Sequence, residues 1–214
     1  MKNQFVICGS SGSIGSAILK AFTNKEYTII KVGRSDSDDI WVDFSIPESI
    51  VVAKQITSID VIVFAQGINP TFNLKETSTK HFQEMLNINI VSPALFLKEH
   101  LNVLNKNSCV IFLSSIAANN GSYDPAYAAA KSGIRGLMKS LSRENPEVRF
   151  NSIILGLINE SRVHNNMTLD FVEKHRDNMF GRNLIELDQV IHTIQFIIDN
   201  NNLSNTEISL TGGI

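Results

Sequence analysis

The sequence predicts a doubly wound α/β sheet: six to seven mostly parallel strands, with helices on both faces. Three observations predict it. Apolar, β-branched runs alternate with longer helix-period segments along the whole chain. The runs are continuous rather than alternating apolar and polar, as in parallel strands covered on both faces. The first run passes straight into a glycine-rich turn and a helix, "VICGSSGSIGSAIL" (6–19).

The expected strands are "QFVIC" (4–8), "YTIIKVG" (27–33), "DVIVFA" (60–65), "SCVIFLS" (108–114), "RFNSIIL" (149–155) and "TEISL" (206–210). Helices are expected near 14–24, 47–56, 79–104, 124–143 and 187–199. Only about seven residues, "RSDSDDI", separate the second strand from "WVDF". A parallel crossover needs a dozen or more, so no helix is expected there and "WVDF" reads as an edge strand. Residues 156–186 follow a strand without a clean period. Strand C-termini line the ligand crevice in such sheets, so this segment is expected to be a substrate lid on a single domain, 1–214.

Composition narrows the function classes. The chain has 214 residues, 43% hydrophobic and 19% charged, with a formal net charge of -2. That charge offers no basic surface for a nucleic-acid backbone. Cys8 and Cys109 lie inside apolar runs and read as buried, reduced thiols of a cytoplasmic protein. No apolar run approaches the ~18 residues of a membrane span, and no signal-peptide core opens the sequence.

Chemistry concentrates in "SYDPAYAAAKSG". Asp124 and Pro125 form a helix start, an N-cap followed by proline. Tyr127 and Lys131 then fall four apart on one helix face. An ammonium near a phenol favours the phenolate, which makes tyrosine a usable acid/base. Upstream, "FLSS" leaves Ser114 and Ser115 at a strand's C-terminal end. Asn87 and Asn89 sit inside the long helix that Pro93 should kink. Asn87 reads as solvent-exposed. Asn89, between Ile88 and Ile90, reads as buried and in need of partners.

In order along the chain, the glycine turn, "FAQG", "NIN", "SS", "YAAAK" and "ILG" are similar to the short-chain dehydrogenase/reductase family over almost the whole chain. "CGSSGSIG" resembles its T-G-x-x-x-G-I-G, with Cys8 for threonine and Ser13 for the second glycine. The compact form G-x-x-G-x-I-G is met by Gly9, Gly12, Ile14 and Gly15. "FAQG" keeps Gly67 but not the asparagines of N-N-A-G. "ILG" keeps Gly156, with Leu155 for proline, and "TGGI" resembles the family's closing glycines. A Rossmann-type fold is implied.

The resemblance implies an NAD(P)-dependent oxidoreductase acting on a small-molecule carbonyl or secondary alcohol. Tyr127 would be the acid/base, and Lys131 would lower its pKa and bind the nicotinamide ribose. Asn89 would position a water, and a serine would hold the substrate oxygen. The family's thirteen-residue spacing selects Ser114, whereas the motif's second serine selects Ser115, favoured with a one-residue deletion. Cofactor contacts are expected from Gly9, Ser11, Gly12, Ser13, Ile14, Gly15, Ala65, Gly67, Tyr127, Lys131, Gly156 and Ile158, with Leu157 and Asn159 as weaker candidates. Asp43 resembles the adenine-contacting aspartate. Gly33 stands where the family's NAD-type acid usually sits, and Arg34 with Ser35 could take a 2′-phosphate, so NADP(H) is favoured, with NAD(H) as the alternative. Asp36, Asp38 and Asp39 weigh against that choice. His164 and His175 lack ligand spacing, so no metal is expected. A homodimer or homotetramer through helices 79–104 and 124–143 is implied, with neither nucleic acid nor membrane as partner. The alternative reading is a cofactor-binding sensor or scaffold of the same fold.

Overall fold

Seven parallel strands form one sheet in the computed structural model, which describes residues 3–23, 25–68 and 72–214. They are β1 (Asn3–Cys8), β2 (Tyr27–Gly33), β3 (Ile40–Trp41), β4 (Ile59–Phe64), β5 (Leu104–Ser115), β6 (Arg149–Leu155) and β7 (Thr206–Leu210). The spatial order is β3-β2-β1-β4-β5-β6-β7. Direction along the sheet reverses between β1 and β4, which opens a crevice at their C-terminal ends.

β3 is a two-residue edge pairing Val32 with Ile40 and Gly33 with Trp41. It joins β2 only at its C-terminal end, so the chain climbs back a short way and needs no helix. β5 starts at Leu104 rather than at residue 108, with a register shift in its pairing between Ile59 and Val61.

The helices are α1 (Ser13–Phe22), α2 (Thr79–Leu86), α3 (Ser92–His100), α4 (Ala117–Asn120), α5 (Pro125–Glu144), α6 (Arg162–Asn165), α7 (Leu169–Asn178) and α8 (Leu187–Asp199). One core layer packs Phe64, Phe96, Phe112 and Met138 against one sheet face. The other packs Phe5, Phe22, Val190 and Ile194 against the opposite face. The Phe5, Phe22 and Tyr27 rings meet edge-on at 4.9–5.9 Å, geometry that adds about 1 kcal/mol per pair beyond area burial.

Two expected helices differ. Pro47–Gln55 is a 3₁₀ helix, whose threefold repeat lines up Ile50 and Ala53 in the core while Val51 and Val52 remain exposed. The helix expected over 79–104 is interrupted by a π turn at Asn87–Val91 and ends at His100. Pro93 cannot donate to an α-type carbonyl partner, and the wide turn absorbs this, Ser92 N–H bonding to the Asn87 carbonyl. Asn87 is half-buried rather than solvent-facing, and its amide donates to the Ser45 carbonyl at 3.0 Å.

Residues 156–186 contain α6 and α7 despite their irregular pattern. The segment is pinned at its base, where Asn159 N–H donates to Ile185 O at 2.7 Å and Ile185 N–H to Leu157 O at 3.1 Å. Val172 and Met179 anchor it on the core. Cys8 and Cys109 are buried free thiols, and burial pushes Cys109 up to about 11, Arg149 opposing the shift. No described helix is long and apolar enough to cross a membrane.

Candidate active site

The glycine turn joins β1 to α1 at the mouth of the crevice. Gly9 has φ +81°, and a Cβ there would lie 2.6 Å from the Gln66 amide nitrogen. A Cβ on Gly15 would run into the Gly9 carbonyl, so helix and turn meet backbone to backbone. Gly12 precedes α1 without a side-chain cap. First-turn amides, including those of Ser13 and Ile14, therefore face the crevice mouth as an anion cradle, beside exposed Ser11. Ser13 does not reach into that cradle: its hydroxyl accepts the backbone N–H of Arg162 at 3.1 Å.

Charges cluster where β2 ends. Arg34 pairs with Asp43 at 3.3 Å. Burial opposes ionisation of Asp43, but hydrogen bonds from Ser45 and the Arg34 guanidinium outweigh it and hold the carboxyl below its usual range. The Ser35 hydroxyl pairs with Ser37, and its N–H donates to Asp38 Oδ2 at 2.9 Å. Asp38 also accepts the buried Ser10 hydroxyl. Neither Ser10 nor Asp38 is a candidate by motif; only the folded loop brings them together.

At the crevice centre, Ala65 N–H donates to Cys8 O at 2.9 Å, and a Cβ on Gly67 would lie 3.9 Å from Lys131 Nζ. The π turn presents Asn89, 3% exposed, whose Nδ2 donates to Met85 O at 2.9 Å. Its Oδ1 has no partner, and neither has Gln66 Oε1. Both residues, with Lys131, line a cavity of about 10 Å³ between Phe64 and Phe112, the scale of one water. Gln66 is missed by the motif, which has alanine at its place; its signal is a polar residue directly after a buried apolar strand.

Ser115 ends β5 and Tyr127 opens α5, where Asp124 accepts the Tyr127 N–H at 3.0 Å. The Ser115 hydroxyl faces the Tyr127 phenol and favours its ionised form. Ser114 is turned inward, donating to the Lys131 carbonyl at 3.3 Å. Of the two serines, Ser115 is the one brought to the tyrosine.

Lys131 is 6% exposed and its ammonium donates to Leu113 O at 2.8 Å. Burial lowers its pKa to about 8. The expectation that it depresses the phenol is not met. Burial pushes Tyr127 up, Asp124 adds to the rise, and only Ser115 opposes it. The ammonium stands 5.8 Å from the ring centre and is spent on the strand carbonyl.

The remaining candidates are less open. Ile158 and Leu157 are buried in the core, leaving only their backbone to the crevice. Asn159 donates to Glu186 at 3.1 Å. A Cβ on Gly156 would lie 2.9 Å from the Thr211 carbonyl, which ties the end of β6 to the segment after β7. His164 accepts the Glu160 N–H, and His175 bonds the Phe171 carbonyl.

Residues 49–207 match the family model described as "Enoyl-(Acyl carrier protein) reductase". Human 3-oxoacyl-[acyl-carrier-protein] reductase is 22% identical over all of this chain and 98% of its own length. A 4-hydroxyisoleucine dehydrogenase solved with NADH superposes with TM-score 0.86, at 20% identity over 99% of this chain and 97% of that one. A small-chain dehydrogenase solved with NADPH gives TM-score 0.87, at 18% identity over 100% and 98%. The strand order, the glycine turn and the match over most of the sequence agree: the chain belongs to the short-chain dehydrogenase/reductase family of oxidoreductases acting on carbonyl and alcohol groups.

Proposed function

We propose that the chain interconverts a small-molecule carbonyl and a secondary alcohol, with a nicotinamide dinucleotide held across the crevice between β1 and β4. The observation that carries this is the Ser115 hydroxyl set against the Tyr127 phenol, one helical turn from buried Lys131. The cradle fits the cofactor: Gly9 and Gly15 leave backbone where a Cβ would stand, and the first turn of α1 is uncapped. Gly9 through Gly15 would hold the pyrophosphate, Arg34, Ser35 and Asp43 the adenosine end, and Ala65, Gly67, Tyr127, Lys131 and the Gly156–Ile158 backbone the nicotinamide half. When bound, the dinucleotide gives or takes the hydride.

The chain's own residues handle the proton. Tyr127 gives it to the substrate oxygen from its phenol in reduction and removes it in oxidation. Ser115 donates to the same oxygen and fixes its distance from the phenol. Lys131, near 8, gains or loses a proton at ordinary pH. A water in the 10 Å³ cavity would donate to the unpartnered oxygens of Asn89 and Gln66 and accept from Lys131 Nζ, linking the site to a proton store.

Segment 156–186 serves as the substrate lid, being pinned at its base and reaching the cradle at Ser13. A homodimer or homotetramer is supported by the exposed face of α5, where Ala129, Ser132, Gly133 and Gly136 leave room for close approach.

The test is turnover of a carbonyl panel followed at the nicotinamide absorbance for wild type and Tyr127→Phe. Loss of about a hundredfold or more in the variant with dinucleotide binding kept is the expected result. Equal turnover overturns the acid/base assignment, and binding without turnover by wild type marks a scaffold instead.

A further inference from the structure

Gly33 ends β2 without a side chain, yet its side-chain space is filled. A Cβ built there would lie 2.5 Å from Asp38 Oδ2 and 3.2 Å from Asp38 Cγ. The Asp38 carboxylate therefore takes the volume that an acid on residue 33 would occupy. It is fixed from two sides. The Ser10 hydroxyl, 3% exposed, donates to Oδ1, and the Ser35 N–H donates to Oδ2 at 2.9 Å. The Asp38 N–H returns to Ser35 O at 2.9 Å, closing the loop on itself. Ser10 belongs to the glycine turn, so the carboxylate stands where that turn and the end of β2 meet.

Two cations that flank Gly33 in sequence carry acidic partners of their own. Arg34 pairs with Asp43 at 3.3 Å, and Lys31 with Asp39 at 3.5 Å. The charged group that stands in the Gly33 side-chain space is the Asp38 carboxylate, with Asp36 and Asp39 in the same loop. In this fold class an acid at the end of the second strand accepts the ribose 2′-hydroxyl, whereas a 2′-phosphate needs a free cation.

We propose that Asp38, delivered from the loop to the position Gly33 leaves open, selects NAD(H): its carboxylate accepts the adenosine 2′-hydroxyl and repels a 2′-phosphate. This rests on the dinucleotide reading above and reverses the preference expected from Arg34 and Ser35. Its two existing hydrogen bonds leave lone pairs on both oxygens for the ribose, and they hold the carboxylate in place before the cofactor arrives.

The test is binding of NADH and of NADPH, read by nicotinamide fluorescence, to wild type, Asp38→Ser and the double variant Asp38→Ala/Gly33→Asp. Circular dichroism checks that each is folded. Wild type is expected to bind NADH about tenfold or more tighter than NADPH. Asp38→Ser should lose about tenfold toward NADH and gain toward NADPH, and the double variant should recover the NADH preference from the strand position. Wild-type preference for NADPH, or an unchanged NADH/NADPH ratio in Asp38→Ser, overturns the proposal while leaving the dinucleotide reading intact. If Asp38→Ser does not fold, an NADPH-preferring double variant overturns the proposal instead. Binding of neither dinucleotide by wild type overturns the dinucleotide reading itself, and the selection with it.

Discussion

The Ser13 hydroxyl accepts the Arg162 backbone N–H at 3.1 Å, joining the first turn of α1 to the first turn of α6 across 149 residues. The helix that follows the glycine turn and the segment 156–186 thus share one hydrogen bond. Ser13→Ala should free that amide and speed its hydrogen exchange about fivefold, the loss of ~1 kcal/mol locally. Exchange at the Asn159–Ile185 bond, at the base of the segment, should not change. Equal exchange in both proteins at Arg162 would show that the contact contributes nothing.

Two glycines of the turn answer differently to the same substitution. A Cβ on Gly15 collides with the Gly9 backbone, whereas a Cβ on Gly12 meets nothing nearer than the Gly9 carbonyl at 3.5 Å. Gly15→Ala should cost about 2–3 kcal/mol or prevent folding, and Gly12→Ala less than ~1 kcal/mol. Urea titration of both variants separates the outcomes.

Lys131 is an ammonium that burial disfavours, and the proposed role sets it against stability. Its folded pKa, about 8, lies below the ordinary lysine value of 10.5, so the unfolded chain binds more protons between those values. Stability should therefore rise with pH from about 8 to about 10.5, with a total near 3 kcal/mol. Tyr127 works the other way, its raised pKa costing stability above pH 10. Lys131→Met should raise the thermal midpoint at pH 7, flatten the alkaline rise and abolish turnover. Unchanged midpoints at pH 7 and 9 would contradict this.

Arg149 spreads its guanidinium over five carbonyls: Asn107, Ile197, Ile198, Asn200 and Leu203. It closes the end of α8 and binds the β5–β6 side to the approach to β7. Arg149→Met should cost about 3–5 kcal/mol, and Arg149→Lys nearly as much, because an ammonium cannot fork across separate carbonyls. Chemical denaturation midpoints measure it, and a loss below ~1 kcal/mol in both variants would refute the clamp.

Strands are the most readable level of this chain, because strands buried on both faces carry unbroken apolar runs, as in "VIVF" (61–64) of β4. Helix type is less readable. Ile50 and Ala53, three apart, suit an α-helix and a 3₁₀ helix alike, and nothing in "NINIV" announces a π turn except the proline after it. In the site, Asn89, Ser115, Tyr127 and Lys131 converge where their motifs place them. Ser114 and Ser115, adjacent in sequence and with Ser115 favoured there, part company in the fold, which turns Ser114 to a carbonyl and sets Ser115 against the phenol. Where Asp38 and Gln66 come to lie, and the Ser13–Arg162 contact, cannot be read from pattern, because loop reach and burial, not spacing, put them there.

From β4 outward, strands join the sheet in chain order, each covering the edge its predecessor left open. β6 is buried along all seven residues, and β7 is its only shield on that side. A chain clipped before Thr206 would expose Phe150, Ile153, Ile154 and Leu155 beside a row of unpaired amides, the kind of edge on which chains stack into aggregates. The short run Thr206–Leu210 is therefore as much a guard against self-association during synthesis as it is the last strand of the sheet.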